Sequence, residues 1–61
     1  MKKMSKFEVY KGKSDWRWRL KANNGKIVAQ GEGFISKRNA MNSVEVVADC
    51  AAWAVLGVLN E

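Results

Sequence analysis

Apolar and polar residues alternate through the first half of the chain, with the period of two that is typical of half-buried strands. The first run places Phe7 and Val9 on one side, and the third run does the same with Ile27 and Ala29. Between them, residues 16–22 put four apolar side chains on one face and three cationic side chains on the other. Short links rich in Gly, Asn, Ser and Asp separate the runs. The pattern predicts a three-stranded antiparallel meander.

The register of the second hairpin follows from its turn. Asn24 and Gly25 favour the positive φ angles of a two-residue type I′ loop. A loop of this length makes the apolar faces of the two strands coincide, whereas a three-residue loop would shift them apart. The predicted pairs are Leu20 with Ala29 and Ala22 with Ile27.

The first hairpin allows two registers that bring Phe7 and Val9 beside the tryptophans. Both registers place Glu8 opposite a cation, either Arg17 or Arg19, on the other face of the sheet. A carboxylate among these cations is therefore predicted in either case.

A helical pattern follows the strands. Residues 31–33, Gly-Glu-Gly, break the alternation and indicate a turn, and Ser36 stands at the position of a helix N-cap. An apolar stripe with spacings of three and four comes next, and three polar residues lie away from it. The stripe is Ala40, Val44, Val47, Ala48 and Ala51, and the polar residues are Asn42, Glu45 and Asp49.

The helix is predicted to end near residues 50–52. A helix continuing to Leu59 would be about 35 Å long, too long for a small sheet to cover. Residues 53–59 are apolar on both faces and contain Val and Trp, which favours a buried strand.

Composition shows that this small domain has neither an internal disulfide nor a zinc site to stabilise it. The chain has 61 residues, one cysteine, no histidine and no proline, so an internal disulfide and a Cys/His zinc site are both excluded. A chain this short buries only about 60% of the surface that its unfolded form exposes. Oligomerisation is the remaining way to stabilise it.

The net charge of +5 is unevenly distributed. Residues 1–38 carry all 11 basic side chains and three acidic ones, a net charge of +8. Residues 39–61 carry three acidic side chains and no basic one, a net charge of −3. The chain thus divides into a cationic body and an acidic, apolar tail.

Residues 1–5 are expected to form a frayed tail ahead of a single domain over 6–59. This tail is too short and polar for a signal peptide, and no apolar run approaches the roughly 20 residues needed to span a bilayer. We therefore expect a cytoplasmic protein with no membrane span, in which Cys50 is a reduced, buried and unreactive thiol.

The ordered motifs of the chain resemble the YegP-like family, also called DUF1508 or UPF0339, over about residues 6–47. The resemblance implies an α+β fold, a β-β-β-α-β unit with one helix on one face of an antiparallel sheet. It also implies tandem repeats or a homodimer with swapped C-terminal strands, and no catalytic residues. The motifs are Phe7-x-Val9-Tyr10-Lys11, Trp16-Arg17-Trp18-Arg19-Leu20-Lys21-Ala22, Asn24-Gly25-x-Ile27-x-Ala29, Glu32-Gly33-Phe34 and Ser36-Lys37-x-x-Ala40-x-Asn42.

The chain departs from the family at the end of the helix. Family members usually leave the helix through a polar corner that often contains proline, whereas Cys50-Ala51-Ala52-Trp53 stands here. Because the chain holds a single repeat, the resemblance favours the homodimer. The residues predicted to form its interface are Trp53, Val55, Leu56, Val58 and Leu59.

Catalysis is the function class that the sequence supports least. Histidine is absent, and the six carboxylates are dispersed among Lys and Arg instead of being paired. No cofactor or metal is expected. The leading hypothesis is a structural or protein-interaction module with no chemistry of its own.

The alternative hypothesis is weak, sequence-independent binding of nucleic acid or another polyanion through the basic residues. Against it, a solvated sheet face would carry the same charges. The tryptophan face is assigned to the core beneath the helix instead of a base-stacking platform. At the helix start, two cations could attract an anion or simply be tolerated. The candidate residues are Arg17, Arg19, Lys21, Lys26, Lys37 and Arg38.

Overall fold

A computed structural model describes residues 4–59 of the chain. Three strands, β1 (Lys6–Lys11), β2 (Trp16–Lys21) and β3 (Ile27–Phe34), form an antiparallel sheet in the order β1-β2-β3. One helix, α1 (Lys37–Ala52), follows β3 and packs against all three strands. The predicted α+β class, with a three-stranded meander and one helix, is confirmed.

The predicted tail over 1–5 is only partly within the described residues, because 1–3 lie outside them. Met4 and Ser5 belong to no helix or strand, and Met4 is 79% exposed. The first strand then begins at Lys6.

The β1–β2 register confirms the predicted carboxylate among cations. Phe7 pairs with Leu20 and Val9 with Trp18, so their apolar side chains share the face beneath α1. Glu8 stands opposite Arg19 on the other face. Of the two registers that the sequence allows, the one with Arg19 is therefore the one observed.

The loop between β2 and β3 corrects the predicted type I′ turn. The N–H of Ala22 donates to the Lys26 carbonyl at 2.7 Å, and the N–H of Gly25 donates to the Ala22 carbonyl at 2.9 Å. This pattern encloses three residues. A type I′ turn needs positive φ at both central residues, but in this loop only Gly25 has one, at 89°. The two-residue loop is therefore wrong.

The longer loop shifts the register by one residue, and a β-bulge in β3 compensates for this shift. Lys21 pairs with Ile27, and the next pair is Leu20 with Ala29, so Val28 is the extra residue on β3. The predicted Leu20–Ala29 pair is confirmed, and the predicted pairing of Ile27 with Ala22 is wrong. One inserted residue in the loop and one in the strand together realign the apolar faces from Ala29 onward, whereas Ile27 stands opposite Lys21.

A second bulge lies where the sequence predicted a turn. β3 continues through 31–33 to Phe34, which pairs with Trp16, while Gly31 pairs with Trp18. Three steps along β3 thus match two along β2. Gly33 has a φ of 86°, in the left-handed region that favours glycine. The prediction of a turn at 31–33 is wrong, because the bulge accommodates these glycines within the strand.

The core centres on Trp18, which is 6% exposed. Its indole packs edge to face against Phe7, with ring centroids 5.8 Å apart, and its Nε1 donates to Ser43 Oγ at 3.1 Å. From α1, Ala40 is fully buried against the sheet. The assignment of the tryptophan face to the core is confirmed at Trp18.

The start of α1 is capped as predicted. Ser36 has extended backbone angles, and its Oγ accepts a hydrogen bond from the Asn39 N–H at 3.1 Å. This bond satisfies one of the free N–H groups of the first turn. The apolar stripe faces the sheet at Ala40, whereas Ala48 and Ala51 in the second half are exposed.

The helix ends at Ala52, within the predicted range. The Trp53 N–H bonds the Cys50 carbonyl at 3.3 Å, the tighter bonding that commonly closes a last turn. Residues 54–59 form no helix or strand in the single chain. The predicted fourth strand and its exchange between copies therefore stay predictions.

Candidate functional site

The predicted site residues fall on separate surfaces of the molecule. Arg17, Arg19 and Lys21 project from β2 on the side opposite α1, which we call the cationic face. The interface candidates lie in 53–59, which we call the C-terminal segment. The first surface would serve polyanions and the second a protein partner.

A single carboxylate organises much of the cationic face. Glu8 Oε1 lies 2.7 Å from Arg19 Nε, and Glu8 Oε2 lies 3.7 Å from Lys6 Nζ and 3.9 Å from Lys21 Nζ. The hydrogen bond from Arg19, supported by the neighbouring cations, lowers the pKa of Glu8 below its ordinary value although partial burial opposes this. Glu8 therefore remains charged and partly neutralises three cations.

Arg17 is paired with a second carboxylate. Its Nε lies 2.9 Å from Asp15 Oδ1, and Asp15 Oδ2 accepts a hydrogen bond from the Gly33 N–H at 2.8 Å. Partial burial acts to raise the pKa of Asp15, but the Gly33 and Arg17 bonds outweigh it and the pKa is lowered. Asp15 thus joins the β1–β2 loop to the second bulge of β3.

The guanidinium of Arg19 also stacks on an aromatic ring. It lies over the Tyr10 ring, 4.8 Å from the ring centroid. A planar cation that is stacked on an aromatic ring and bonded to a carboxylate loses side-chain freedom. Arg17, Arg19 and Lys21 are each only 36–37% exposed at the side chain. The cationic face is a paired, partly covered surface.

The other three cationic candidates lie outside β2. Lys26 precedes β3, whereas Lys37 and Arg38 follow it, so the strand of eight residues, about 26 Å, separates them. All three are exposed, and none forms an ion pair with another of the residues 4–59. Lys26 and the pair of Lys37 and Arg38 therefore lie beyond opposite ends of β3.

The C-terminal segment exposes nearly all of its apolar surface. Each of its five large side chains is between 82% and 93% exposed, far above the core residues. They are Trp53, Val55, Leu56, Val58 and Leu59. Such a concentration of large apolar side chains is typical of a surface that meets a partner.

The part of the chain that the structure describes offers little for small-molecule chemistry. Residues 4–59 enclose no cavity and bring together no group of His, Cys, Asp or Glu suited to a metal ion. Cys50 is an exposed thiol near the end of α1, which corrects its predicted burial.

No helix in the described region combines the length and apolar character required to cross a membrane.

Sequence reasoning missed two features of these surfaces. Asp15 was read only as a turn residue, although Asp followed two positions later by Arg at a strand start places both side chains on one side. Ile27 and Val28 are 50% and 61% exposed beside the first bulge. No sequence signal reveals them, because a bulge changes which way neighbouring side chains point.

Comparisons with known proteins identify relatives along most of the chain. The family model of a domain of unknown function, DUF1508, matches residues 12–56. A UPF0339 protein of Neisseria meningitidis serogroup B is 49% identical over 47 residues, covering 75% of this chain and 84% of the relative. A UPF0339 protein of Methanosarcina acetivorans is 39% identical over 58 residues, covering 93% and 100%.

A solved structure has the same architecture. The solution structure, by NMR, of a protein from Haloferax volcanii superimposes with a TM-score of 0.78 at 35% identity, covering 95% of this chain and 100% of that one. The DUF1508 match ends at Leu56, beyond the predicted limit near 47. It therefore includes Trp53, Val55 and Leu56, three of the interface candidates.

Proposed function

The chain belongs to the DUF1508 family, whose domains have no assigned function, and from this premise we propose that it is a homodimeric interaction module with no catalysis of its own. Residues 6–59 act as one domain. The C-terminal segment of each chain serves as the fourth strand in the sheet of the other, so the sheet is completed only in the dimer.

The exposure of the C-terminal segment carries the proposal. Leu56 is 93% exposed and Val55 91% exposed, although each would stabilise the protein by about 1.5–3 kcal/mol if fully buried. Only Trp18 and Ala40 are buried among the apolar residues of the described chain. A second copy offers the segment the burial that its own small sheet does not.

The size of the exposed surface supports the same function. The chain exposes 5495 Å², against about 4,000 Å² for a folded monomer of this mass. The excess exceeds the roughly 800 Å² per partner that a standard interface buries. The radius of gyration, 13.4 Å, likewise exceeds the roughly 10.5 Å of a compact domain of this length. The unpacked C-terminal segment contributes to both differences, and it is the surface that a second copy would cover.

Sedimentation equilibrium tests the assembly directly. At micromolar concentration we expect a single species of twice the 6.9 kDa chain mass. A folded monomer that persists across the concentration range would contradict the proposal.

Charged substitutions in the C-terminal segment test whether folding and association are one process. Val55→Asp and Leu56→Asp are each expected to abolish both the folded circular dichroism spectrum and the dimer, because an exchanged strand belongs to both cores. Val46→Asp is the matched control, since Val46 is 60% exposed on α1 and outside the segment. A folded monomeric Leu56→Asp variant would show that the segment only associates and does not complete a fold.

Polyanion binding is the competing function, and its support lies in the basic excess of residues 1–38. Non-specific binding should weaken with salt, with a log–log slope of about −0.9 per phosphate neutralised on duplex DNA. Fluorescence anisotropy with a DNA duplex at two salt concentrations measures this slope. Glu8 and Asp15 already pair with Arg19 and Arg17. We therefore expect that the double variant Arg17→Glu with Arg19→Glu leaves DNA binding unchanged.

A further inference from the structure

We infer that Asn24, at the tip of the β2–β3 hairpin, is a site of self-modification. The backbone nitrogen of Gly25 attacks the side-chain amide of Asn24, and residue 24 becomes aspartate or isoaspartate. The reaction needs water as its only co-reactant. It is independent of the proposed homodimer, because neither residue belongs to the C-terminal segment.

The bonds that form and break define the reaction. The Gly25 nitrogen gives up its proton and bonds Asn24 Cγ, while the Cγ–Nδ2 bond breaks and Nδ2 leaves with that proton as ammonia. The product is a cyclic imide that joins the two residues. Water opens the imide at Cγ to give aspartate, or at the backbone carbonyl carbon of residue 24 to give isoaspartate, in which the chain runs through Cβ and Cγ.

Gly25 leaves room for the imide to form. Asn24 and Gly25 are both exposed, and Gly25 has no Cβ to crowd its own nitrogen. Even a Cβ built onto Gly25 would meet no atom within 4 Å outside its chain neighbours. The tip of the hairpin is therefore open to the ring and to the water that hydrolyses it.

The N–H of Lys26 prepares the side chain for attack. It donates to Asn24 Oδ1 at 3.0 Å, so the side-chain amide lies against the backbone that contains the Gly25 nitrogen. This bond draws electron density from Cγ and stabilises the negative charge that develops on Oδ1 when the nitrogen adds. Nδ2, which must leave, donates no hydrogen bond within residues 4–59.

Two backbone bonds of the loop control when the attack can occur. The Gly25 N–H donates to the Ala22 carbonyl at 2.9 Å, and the Ala22 N–H donates to the Lys26 carbonyl at 2.7 Å. The first bond must open before the Gly25 nitrogen can turn toward Cγ. Both bonds lie at the exposed tip of a hairpin, where local opening costs much less free energy than unfolding the sheet. The reaction therefore proceeds from the folded protein.

The other described asparagines lack this combination. Asn24 is the only asparagine of the chain that glycine follows. Asn39 and Asn42 lie within α1, and the nitrogen that would attack Asn39 belongs to Ala40, which is fully buried. Asn23 shares the exposed loop, but the residue after it carries a side chain.

The two products affect the hairpin differently. An aspartate at residue 24 keeps an oxygen that can accept the Lys26 N–H, and it lowers the net charge of +5 by one. An isoaspartate adds a methylene group to the backbone of the three-residue loop. We expect this second product to weaken the bonds between Ala22 and Lys26 that close the hairpin.

Peptide mapping of the full-length chain after incubation at physiological temperature and pH tests the inference. Trypsin cleaves after Lys21 and Lys26 and releases residues 22–26, and fragmentation in the mass spectrometer locates the mass change of NH2 to OH. We expect residue 24 to convert at least about tenfold faster than Asn23, Asn39 or Asn42, because it alone needs only loop opening. Equal rates, or faster conversion at another asparagine, would overturn the inference.

Matched variants and an unfolded sample complete the test. Asn24→Gln should abolish the modification of the loop, because the longer side chain disfavours the ring, whereas Asn23→Gln should convert at the native rate. Chromatography should separate aspartate and isoaspartate forms of the 22–26 peptide. If Asn24 converts in urea but is fully retained in the native protein, the hydrogen bonds of the loop prevent the attack and the inference is wrong.

Discussion

The packing of Trp18 limits which residues can stand next to it in the core. Its ring packs against Phe7, its Nε1 is satisfied by Ser43, and its position opposite Gly31 brings the indole against the backbone of β3. A Cβ on Gly31 would overlap sterically with the indole of Trp18, most closely at Nε1. The largest side chain in the core therefore requires the smallest one across the strand pair.

Gly31→Ala is expected to destabilise the protein by about 1–3 kcal/mol, the usual cost of overpacking a core. The new methyl group would force the indole to move and weaken its bond to Ser43. Urea unfolding followed by tryptophan fluorescence measures the change. Gln30→Ala, at an exposed position on the same strand, serves as the control and should stay within about 0.5 kcal/mol. Equal midpoints for the two variants would contradict this role of Gly31.

At the scale of the elements, the alternating pattern was enough to predict the two faces of β1 and β2. Period two fixes which side chains share a face, so it placed Glu8 opposite either Arg17 or Arg19, and the structure has Arg19. The helix start followed from Ser36, because capping depends on a local hydrogen bond. These features need only nearest-neighbour geometry.

The bulges of β3 could not be predicted in the same way. Gly25 and Gly33 both adopt positive φ, but glycine permits this angle without requiring it. In the bulge at Gly33, the N–H of this residue bonds Asp15, which is 18 residues away. Such a choice depends on tertiary contacts that the local sequence does not contain.

The ion pairs of the cationic face should make stability depend on acid pH. The pKa of Glu8 is lowered from its ordinary value of 4.5, chiefly by the bond from Arg19. A carboxyl with a lowered pKa in the folded state stabilises the protein above its unfolded pKa and loses that contribution as pH falls through the folded pKa. We expect the urea midpoint to fall between pH 6 and pH 3, and to fall less in Glu8→Gln.

The matched control for this pH dependence is Glu45→Gln. Glu45 is an exposed carboxylate on α1 that forms no ion pair with other described residues. Its variant should follow the native pH curve. If Glu8→Gln and Glu45→Gln have the same curve, the Glu8 cluster is not a source of acid sensitivity.

At the scale of the whole molecule, the prediction of a partner rests on composition more than on pattern. The lack of a disulfide or metal staple indicated a need for a partner, and residues 53–59 supplied the apolar surface for one. Pattern alone could not decide how this surface is used, because alternation is absent where both faces are apolar.

If folding and association are one process, the melting temperature must depend on protein concentration. For a dimer of two 61-residue chains, a tenfold increase in concentration should raise the Tm by about 5 °C, given typical unfolding enthalpies per residue. Calorimetry across a hundredfold range measures the slope. Two copies joined by a flexible linker are the control, because their association is intramolecular and their Tm should not change. A native Tm that is equally constant would show that the single chain folds alone, with its C-terminal segment left outside the cooperative unit.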